Sequence, residues 1–462
     1  MGRTRTGGFA PVASTPWSVF RRDHPRYALF YAPGRLVVVD ASRAEQFESS
    51  VNDSATQTNA VATSLVRHAA DAEARHRAIW TDPFEPVCLT LYLGNRCNLS
   101  CTYCFAAPSG TPSLPLSWPA IRPVAESVLT NCVKRGIPFA TVFHGGGEPG
   151  LYPDLIATIL DGLEQLAVAR GLTVFRYLAT NGVLPAARTR WLARRFDTVG
   201  LSCDGPPLFQ TRQRPTSSGK PTSPAVERTA QIIRGERTRL HVRATITPLT
   251  MRHQADIVAY LCERLQPDEI ALEPVYSGGR AGATTPWHRE DAEVFVTGFI
   301  EARALASRFG VPLRPSISRP SETHGPYCNV ARNVLQLVPG GVASACFKTN
   351  ATDGGPAPMT AISSDASDNN ELALDGARIA RIRHLLSRWP ARCQDCFNRF
   401  HCTLGCPDSC PLDPTTASAA DFRCHVAKEL TTRSLDDLAA AAWQDPARED
   451  SIITIELSHH ER

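Results

Sequence analysis

The chain has 462 residues and a net charge of +4, is 43% hydrophobic and 20% charged, and so has the profile of a soluble globular protein with material for two or three domains. Only four of its basic residues are lysine, and no basic run is interleaved with aromatics, so no nucleic-acid partner is expected. No stretch of about 18 apolar residues offers a membrane span. The opening MGRTRTGGFAPVASTPW lacks the apolar core of a signal peptide, so no membrane partner and a cytoplasmic location are expected.

In chain order, RYALFY (26–31), the turn APG and RLVVVD (35–40) predict a β-hairpin. ASRAEQFES reads as helical, VNDSATQTNA as a loop, and VATSLVRHAADAEARHRAIW as a second helix. From about Pro86 the rhythm changes. VCLTLYL, ATVF (140–143), LTVFRYLAT (172–180), TVGLSC (198–203), LHVRATIT (240–247) and EIALEPV (269–275) are six short strand-like runs, with helical patterns between them. Strands alternating with helices predict parallel βαβ units. Six units make a partial barrel rather than a closed eight-unit one. A long helix, EDAEVFVTGFIEARALASRFG, follows. Past about Pro312 the chain is rich in Pro, Gly and Cys, with little material for a large apolar core, so cross-linking by metal is its expected stabiliser. TDGGPAPMTAISSDASDNNEL reads as an exposed loop, DFRCHVAKELTTRSLDDLAAAAW as a C-terminal helix, and the last residues as frayed.

The chain has fifteen cysteines, and without secretion such clusters favour metal over disulfides. Three of them, Cys97, Cys101 and Cys104, crowd into CNLSCTYC just behind the first barrel strand. Three thiolates would leave one iron of a four-iron, four-sulfide cluster open. Structural zinc takes four ligands and would need a distant cysteine. Spacing alone admits both. The other strand ends carry HGGGEP (144–149), TNG (180–182) and SCDGP (202–206), and Arg243 lies within the fifth strand. Taken singly, a Gly-Gly pair is often just a turn, and a strand Arg is often paired with a structural Asp or Glu. A buried Arg needs such an anionic partner.

Together and in this order these motifs resemble the radical S-adenosylmethionine superfamily over about residues 86–310. Its CxxxCxxC signature matches Cys97, Cys101 and Cys104, with the aromatic Tyr103 before the last cysteine. Its GGEP element matches Gly146, Gly147, Glu148 and Pro149 and implies a hold on the methionine ammonium. Ser202 and Arg243 match positions that contact the cofactor's carboxylate, and Asn181 and Asp204 sit in family-typical motifs. The resemblance implies that the open iron chelates S-adenosyl-L-methionine. Its reductive cleavage then gives methionine and a 5′-deoxyadenosyl radical, with the electron from a flavodoxin- or ferredoxin-type reductant. The protein's part is binding, orientation and shielding. No general base stands out, and the catalytic residues are left unassigned.

Downstream lie Cys328, Gly341-x4-Cys346, then Cys393, Cys396, Cys402 and Cys406, and after a gap Cys424. This resembles the SPASM extension, which holds two auxiliary clusters, so three 4Fe–4S clusters are implied in all. By that resemblance Cys393, Cys396, Cys402 and Cys424 ligate the outer cluster, and Cys328, Cys346 and Cys406 the inner one. The inner cluster then either has an open iron or is completed by Cys410. A pair of zinc knuckles is the bland alternative. Cys88, Cys132, Cys203 and Cys262 read as small buried hydrophobes.

The resemblance implies an α/β protein in four parts. Residues 1–82 form a small N-terminal α+β segment, and 83–311 a partial (βα)6 TIM-like barrel. Residues 312–430 form a cysteine-rich iron–sulfur domain, and 431–462 a C-terminal helix and tail. SPASM enzymes mostly modify peptides, so a ribosomally made precursor peptide is the expected partner and a thioether or carbon–carbon cross-link the expected product. Anaerobic sulfatase maturation to formylglycine and oxidation of a small molecule are the alternatives. The sulfatase branch carries an Asp directly after the second auxiliary cysteine, whereas Phe347 follows Cys346 here. The N-terminal hairpin either captures a leader peptide by edge pairing or simply caps the barrel. Glu273, Tyr276 and Arg280, at the sixth strand's end, either line the substrate pocket or are structural.

Overall fold

The computed structural model describes residues 8–12, 19–53, 59–104, 114–276, 280, 287–323, 329, 331–345, 362, 374–388, 393–402, 417–445 and 451–457. They fall into two compact units, one of residues 1–82, 316–327 and 386–462, the other of 83–315 and 328–385.

The first unit opens with four antiparallel strands, β1 (Ala10–Pro11), β2 (Phe20–Asp23), β3 (Tyr27–Ala32) and β4 (Arg35–Asp40). The expected hairpin is β3–β4, closed by Pro33-Gly34, where Gly34 supplies a φ of +90°. Alternate side chains of a strand leave opposite faces. Ala28, Phe30, Val37 and Val39 pack against Phe47, Val51, Leu65 and Ala69, which come from α1 (Ala44–Asn52) and α2 (Ala60–Thr81). Asn59 caps α2, its Oδ1 accepting from Val61 N at 3.0 Å and Ala62 N at 3.1 Å. Tyr27, Leu29, Tyr31, Leu36 and Val38 pack on the other side against Phe397, Leu435 and Ala439.

The second unit alternates β5 (Cys88–Leu91), α3 (Trp118–Arg135), β6 (Phe139–Phe143), α4 (Pro153–Val168), β7 (Val174–Thr180), α5 (Ala186–Arg195) and β8 (Thr198–Ser202). It continues through α6 (Pro207–Gln213), α7 (Ser223–Gly235), β9 (Arg239–Ile246), α8 (Gln254–Tyr260), β10 (Glu269–Pro274) and α9 (Asp291–Arg308). The six expected strands, β5 to β10, run parallel and adjacent in chain order, as a partial barrel requires.

Three expectations need correction. The region after Pro312 is not merely loops. β11 (Leu313–Pro315) joins β10, β12 (Val334–Val338) joins β5, and β13 (Val342–Ser344) pairs with β12, which makes this sheet nine-stranded among the described residues. The helix α10 (Gly376–Leu386) follows. Nor does a boundary fall at 430, because α11 (Ala417–Trp443) crosses it unbroken. The described tail is not frayed either. β14 (Ile452–Glu456) pairs antiparallel with β4, from Ile452↔Val39 to Glu456↔Arg35. Ile453, Ile455 and Leu457 join the apolar cluster on that side of the sheet, which supplies the reason for its order. Residues 1–82 therefore share a unit with most of the C-terminal region. No helix among the described residues is long and apolar enough to cross a membrane.

Candidate functional site

Because β5 to β10 are parallel, their C-terminal ends fall at one edge of the sheet, the usual place for a site in such folds. The cysteine loop after β5 meets HGGGEP, TNG and SCDGP there. Glu148 is the pin between them. Its side chain is buried, and Oε1 accepts from Thr180 Oγ1 at 2.7 Å and Gly150 N at 2.9 Å, while Oε2 accepts from Asn181 N at 2.6 Å. Burial pushes the carboxyl upward in pKa, and these donors pull it back.

Asn181 carries the connection on to the cysteines. Its Nδ2 donates to Asn98 Oδ1 at 2.8 Å and lies 3.7 Å from Cys97 Sγ. Asn98 Nδ2 in turn donates to Val183 O at 2.6 Å. From the other side Glu148 N donates to Arg96 O at 2.7 Å and Gly147 N to Gly94 O at 3.1 Å. The glycines make this closeness possible. A Cβ on Gly147 would sit 2.0 Å from Arg96 O, and one on Gly146, already at φ +66°, would sit 1.5 Å from the Tyr92 ring. Pro149 is buried and starts a short 3-10 turn.

A second anchor comes from a segment the sequence did not single out. Ser100 N donates to Pro215 O and Thr102 N to Gln213 O, both at 2.9 Å, and Leu99 bridges Thr216 antiparallel. Tyr103 OH donates to Asp204 Oδ2 at 2.7 Å. Asp204, fully buried, also accepts from Gln213 Nε2 at 2.8 Å and Thr245 N at 3.0 Å. Arg214 Nη1 donates to Tyr103 OH at 2.6 Å. Gln213 and Arg214 lie more than a hundred residues from the cysteines, in no recognisable motif, so only tertiary structure reveals them. Arg280 also joins the loop, donating from Nη1 to Cys101 O and from N to Cys104 O, each at 3.1 Å.

Ser202 and Arg243 are register partners on β8 and β9. Arg243 Nη2 lies 3.0 Å from Glu273 Oε1, the structural pairing that a strand Arg invites. His144, at the end of β6, is lowered to about 4 by burial and by the Arg243 charge, so it is neutral at neutral pH.

Cys101 is buried, Cys104 half-buried and Cys97 exposed. Burial pushes the Cys101 thiol upward, so a bound cluster would displace its proton. Among the described residues no three His, Cys, Asp or Glu side chains close on one metal ion. Three thiols in one loop suit a cluster that spreads its ligands over separate irons.

In the first unit, Cys393, Cys396 and Cys402 share one short segment and Cys424 lies on α11. Asn398 joins the two, with Cys402 N donating to its carbonyl at 2.8 Å and its Nδ2 donating to Ala427 O at 3.0 Å. Tyr31 OH hydrogen-bonds His401 Nε2, and Phe397 stacks on Phe9 at 4.7 Å. Cys328, Cys346, Cys406 and Cys410 lie outside the described residues. Cys132, Cys203 and Cys262 are buried as expected, while Cys88 is half-buried.

No family model matches the chain. The "Cysteine-type anaerobic sulfatase-maturating enzyme" of Clostridium perfringens is 28% identical over 170 residues, 36% of this chain and 46% of that protein. The "7-carboxy-7-deazaguanine synthase" of Methanothermobacter thermautotrophicus is 28% identical over 191 residues, 38% of this chain and 69% of that protein. Among solved structures, anSMEcpe with bound AdoMet superposes with a TM-score of 0.61 at 18% identity, over 77% of this chain and 96% of that one. Over these 170 residues the chain is similar in sequence to the maturating enzyme, and it shares the fold of anSMEcpe. Streptococcus suis SuiB bound to precursor peptide SuiA shares the fold with a TM-score of 0.51 at 12% identity, over 88% of this chain and 99% of that one. The match to the curated maturating enzyme spans about half of that enzyme's length, 46%.

Proposed function

We propose that the chain is an enzyme that uses S-adenosylmethionine and three 4Fe–4S clusters to install an oxidative cross-link, thioether or carbon–carbon, in a ribosomally synthesised precursor peptide. The observation that carries this reading is the cysteine loop pinned at the parallel-sheet edge by Glu148, Asn181 and Asp204. When bound, cofactor and clusters supply hydrogen-atom abstraction from a side chain. Cys97, Cys101 and Cys104 hold three irons. Gly146 to Pro149 present the backbone to the cofactor's ammonium, and Ser202 and Arg243 face its carboxylate. A guanidinium has five donors, so an Arg243–Glu273 pair and a cofactor carboxylate are compatible. Cys393, Cys396, Cys402 and Cys424 hold the outer auxiliary cluster. Cys328, Cys346 and Cys406 hold the inner one, with either Cys410 or a substrate thiolate in its last place. The electron comes from a flavodoxin- or ferredoxin-type partner.

A second reading is sulfatase maturation, favoured by the identity to the Clostridium perfringens protein. Phe347, in place of the Asp expected after Cys346, weighs against it.

The full chain, reconstituted without oxygen and given S-adenosylmethionine, reductant and peptides encoded beside its gene, should form 5′-deoxyadenosine. One peptide should become two hydrogens lighter without gaining an aldehyde. A hydrazide-reactive aldehyde would instead establish the second reading. Deoxyadenosine with no peptide change would remove the peptide substrate. Cofactor cleavage that survives C97A/C101A/C104A would defeat the core assignment.

A further inference from the structure

The pairing of the cysteine loop with residues 213–216 has a fixed antiparallel register. Leu99 bridges Thr216, while the bonds from Ser100 N to Pro215 O and from Thr102 N to Gln213 O bracket the next pair. That pair is Cys101 and Arg214, which face each other with 8% of each exposed. A guanidinium placed there is costly unless something holds it. What holds it is a relay: Arg214 donates to Tyr103 OH at 2.6 Å, and Tyr103 donates in turn to Asp204 Oδ2 at 2.7 Å. Asp204 is locked at the far end by Gln213 Nε2 and Thr245 N. The phenol therefore separates the two charges. The positive end sits opposite Cys101, while the negative end is satisfied by other donors behind Tyr103. The nearby Glu148 carboxylate is already held by Thr180, Asn181 and Gly150. Arg280 approaches the loop too, but through the carbonyls of Cys101 and Cys104 and from a more exposed position.

Resting on the iron–sulfur reading of Cys97, Cys101 and Cys104, we propose that Arg214 is a positioning residue whose buried charge, held by Tyr103 and Asp204, raises the reduction potential of the cluster on this loop. Reduction adds one electron to the cluster and no proton. A fixed cation beside one of its thiolates stabilises the more negative reduced form, and the effect is strong where water is excluded. Asp204, at the other end of the relay, pulls the potential the opposite way.

The test uses the full chain, reconstituted anaerobically and titrated with dithionite under electron paramagnetic resonance. The relevant signal is the component that vanishes in C97A/C101A/C104A. Arg214→Gln should lower the reduced-to-oxidised ratio at a fixed potential at least tenfold, about 59 mV for one electron. Arg214→Lys, which keeps the charge, should fall between Arg214→Gln and the unsubstituted chain. Asp204→Asn should shift the potential upward. Loss of packing alone would not give opposite signs. If Arg214→Gln titrates with the unsubstituted chain, or if Arg214→Gln and Asp204→Asn move together, the proposal is overturned. Where Arg214→Gln fails to fold or load iron, Asp204→Asn decides: an upward shift supports the proposal, and no shift or a downward one overturns it. If the unsubstituted chain itself carries no signal dependent on these cysteines, the iron–sulfur reading fails instead.

Discussion

Gly147 shows how closely the HGGGEP loop and the cysteine loop are fitted. Its missing Cβ leaves room for a backbone carbonyl, which cannot swing away as a side chain could. Gly147→Ala should therefore destabilise the protein by about 1–3 kcal/mol, the usual cost of overpacking, seen as a lower denaturation midpoint. The same change should lower iron per chain after reconstitution, since it displaces Arg96, the neighbour of Cys97. His144 makes a different kind of prediction. Its ordinary value of 6.5 falls to about 4 in the fold. The unfolded chain then binds a proton that the folded chain refuses, so this residue costs stability as pH falls from about 6.5 toward 4. With about 1.4 kcal/mol per unit, the full loss is at most about 3 kcal/mol. Comparing thermal unfolding of the unsubstituted chain and His144→Gln at pH 7.5 and 5 should show the gap closing or reversing at the lower pH. Equal pH slopes would refute it. At this scale the sequence named the motif residues but not their use. Glu148 was legible as part of GGEP, yet its carboxylate serves TNG and the chain turn at Gly150. Gln213 and Arg214 were invisible because nothing local marks a residue whose role comes from a partner a hundred positions away.

Among the elements, the six barrel strands were readable because each is a short run rich in apolar and β-branched residues and bounded by turn residues. The additions at the sheet's two ends were not. β11 has three residues and β13 three, too short for any periodicity to register. β14 was hidden for another reason: its IITIE looks like a tail until the β4 edge is seen to take it. Removal of residues 446–462 should expose that edge and uncover Leu457's apolar contacts. We expect about 3 kcal/mol of lost stability and concentration-dependent association, since an unpaired strand edge invites pairing with another chain. Analytical ultracentrifugation of the full and truncated chains would check this, and an unchanged association state with unchanged stability would contradict it.

For the molecule as a whole, Cys97, Cys101 and Cys104 lie in one compact unit and Cys393, Cys396, Cys402 and Cys424 in the other. The sequence placed the N-terminal hairpin in a unit of its own, because sequence separation hides the fact that Tyr31 and Phe20 need Phe397 to complete their core. Phe397 lies between Cys396 and Asn398, so the outer cysteine segment is built onto the N-terminal sheet. Phe397→Ala should cost about 3–5 kcal/mol in the first unit and, under the ligation proposed above, should reduce the iron held through Cys393, Cys396, Cys402 and Cys424. The signal that depends on Cys97 should be unaffected. Hydrogen exchange resolved by peptide would show faster exchange in residues 20–40, with 139–202 unchanged.

The β4–β14 pairing also has a consequence in time. Arg35 and its partner Glu456 are 421 positions apart. At about 5–20 residues per second of synthesis, the first sheet is made within seconds but waits on the order of half a minute for its last strand. The second unit runs unbroken from residue 83 to 315 and emerges meanwhile. The sheet whose strands β1 to β4 are made before the second unit is thus completed only after it, and a nascent chain stalled before residue 452 would hold a first sheet that lacks β14.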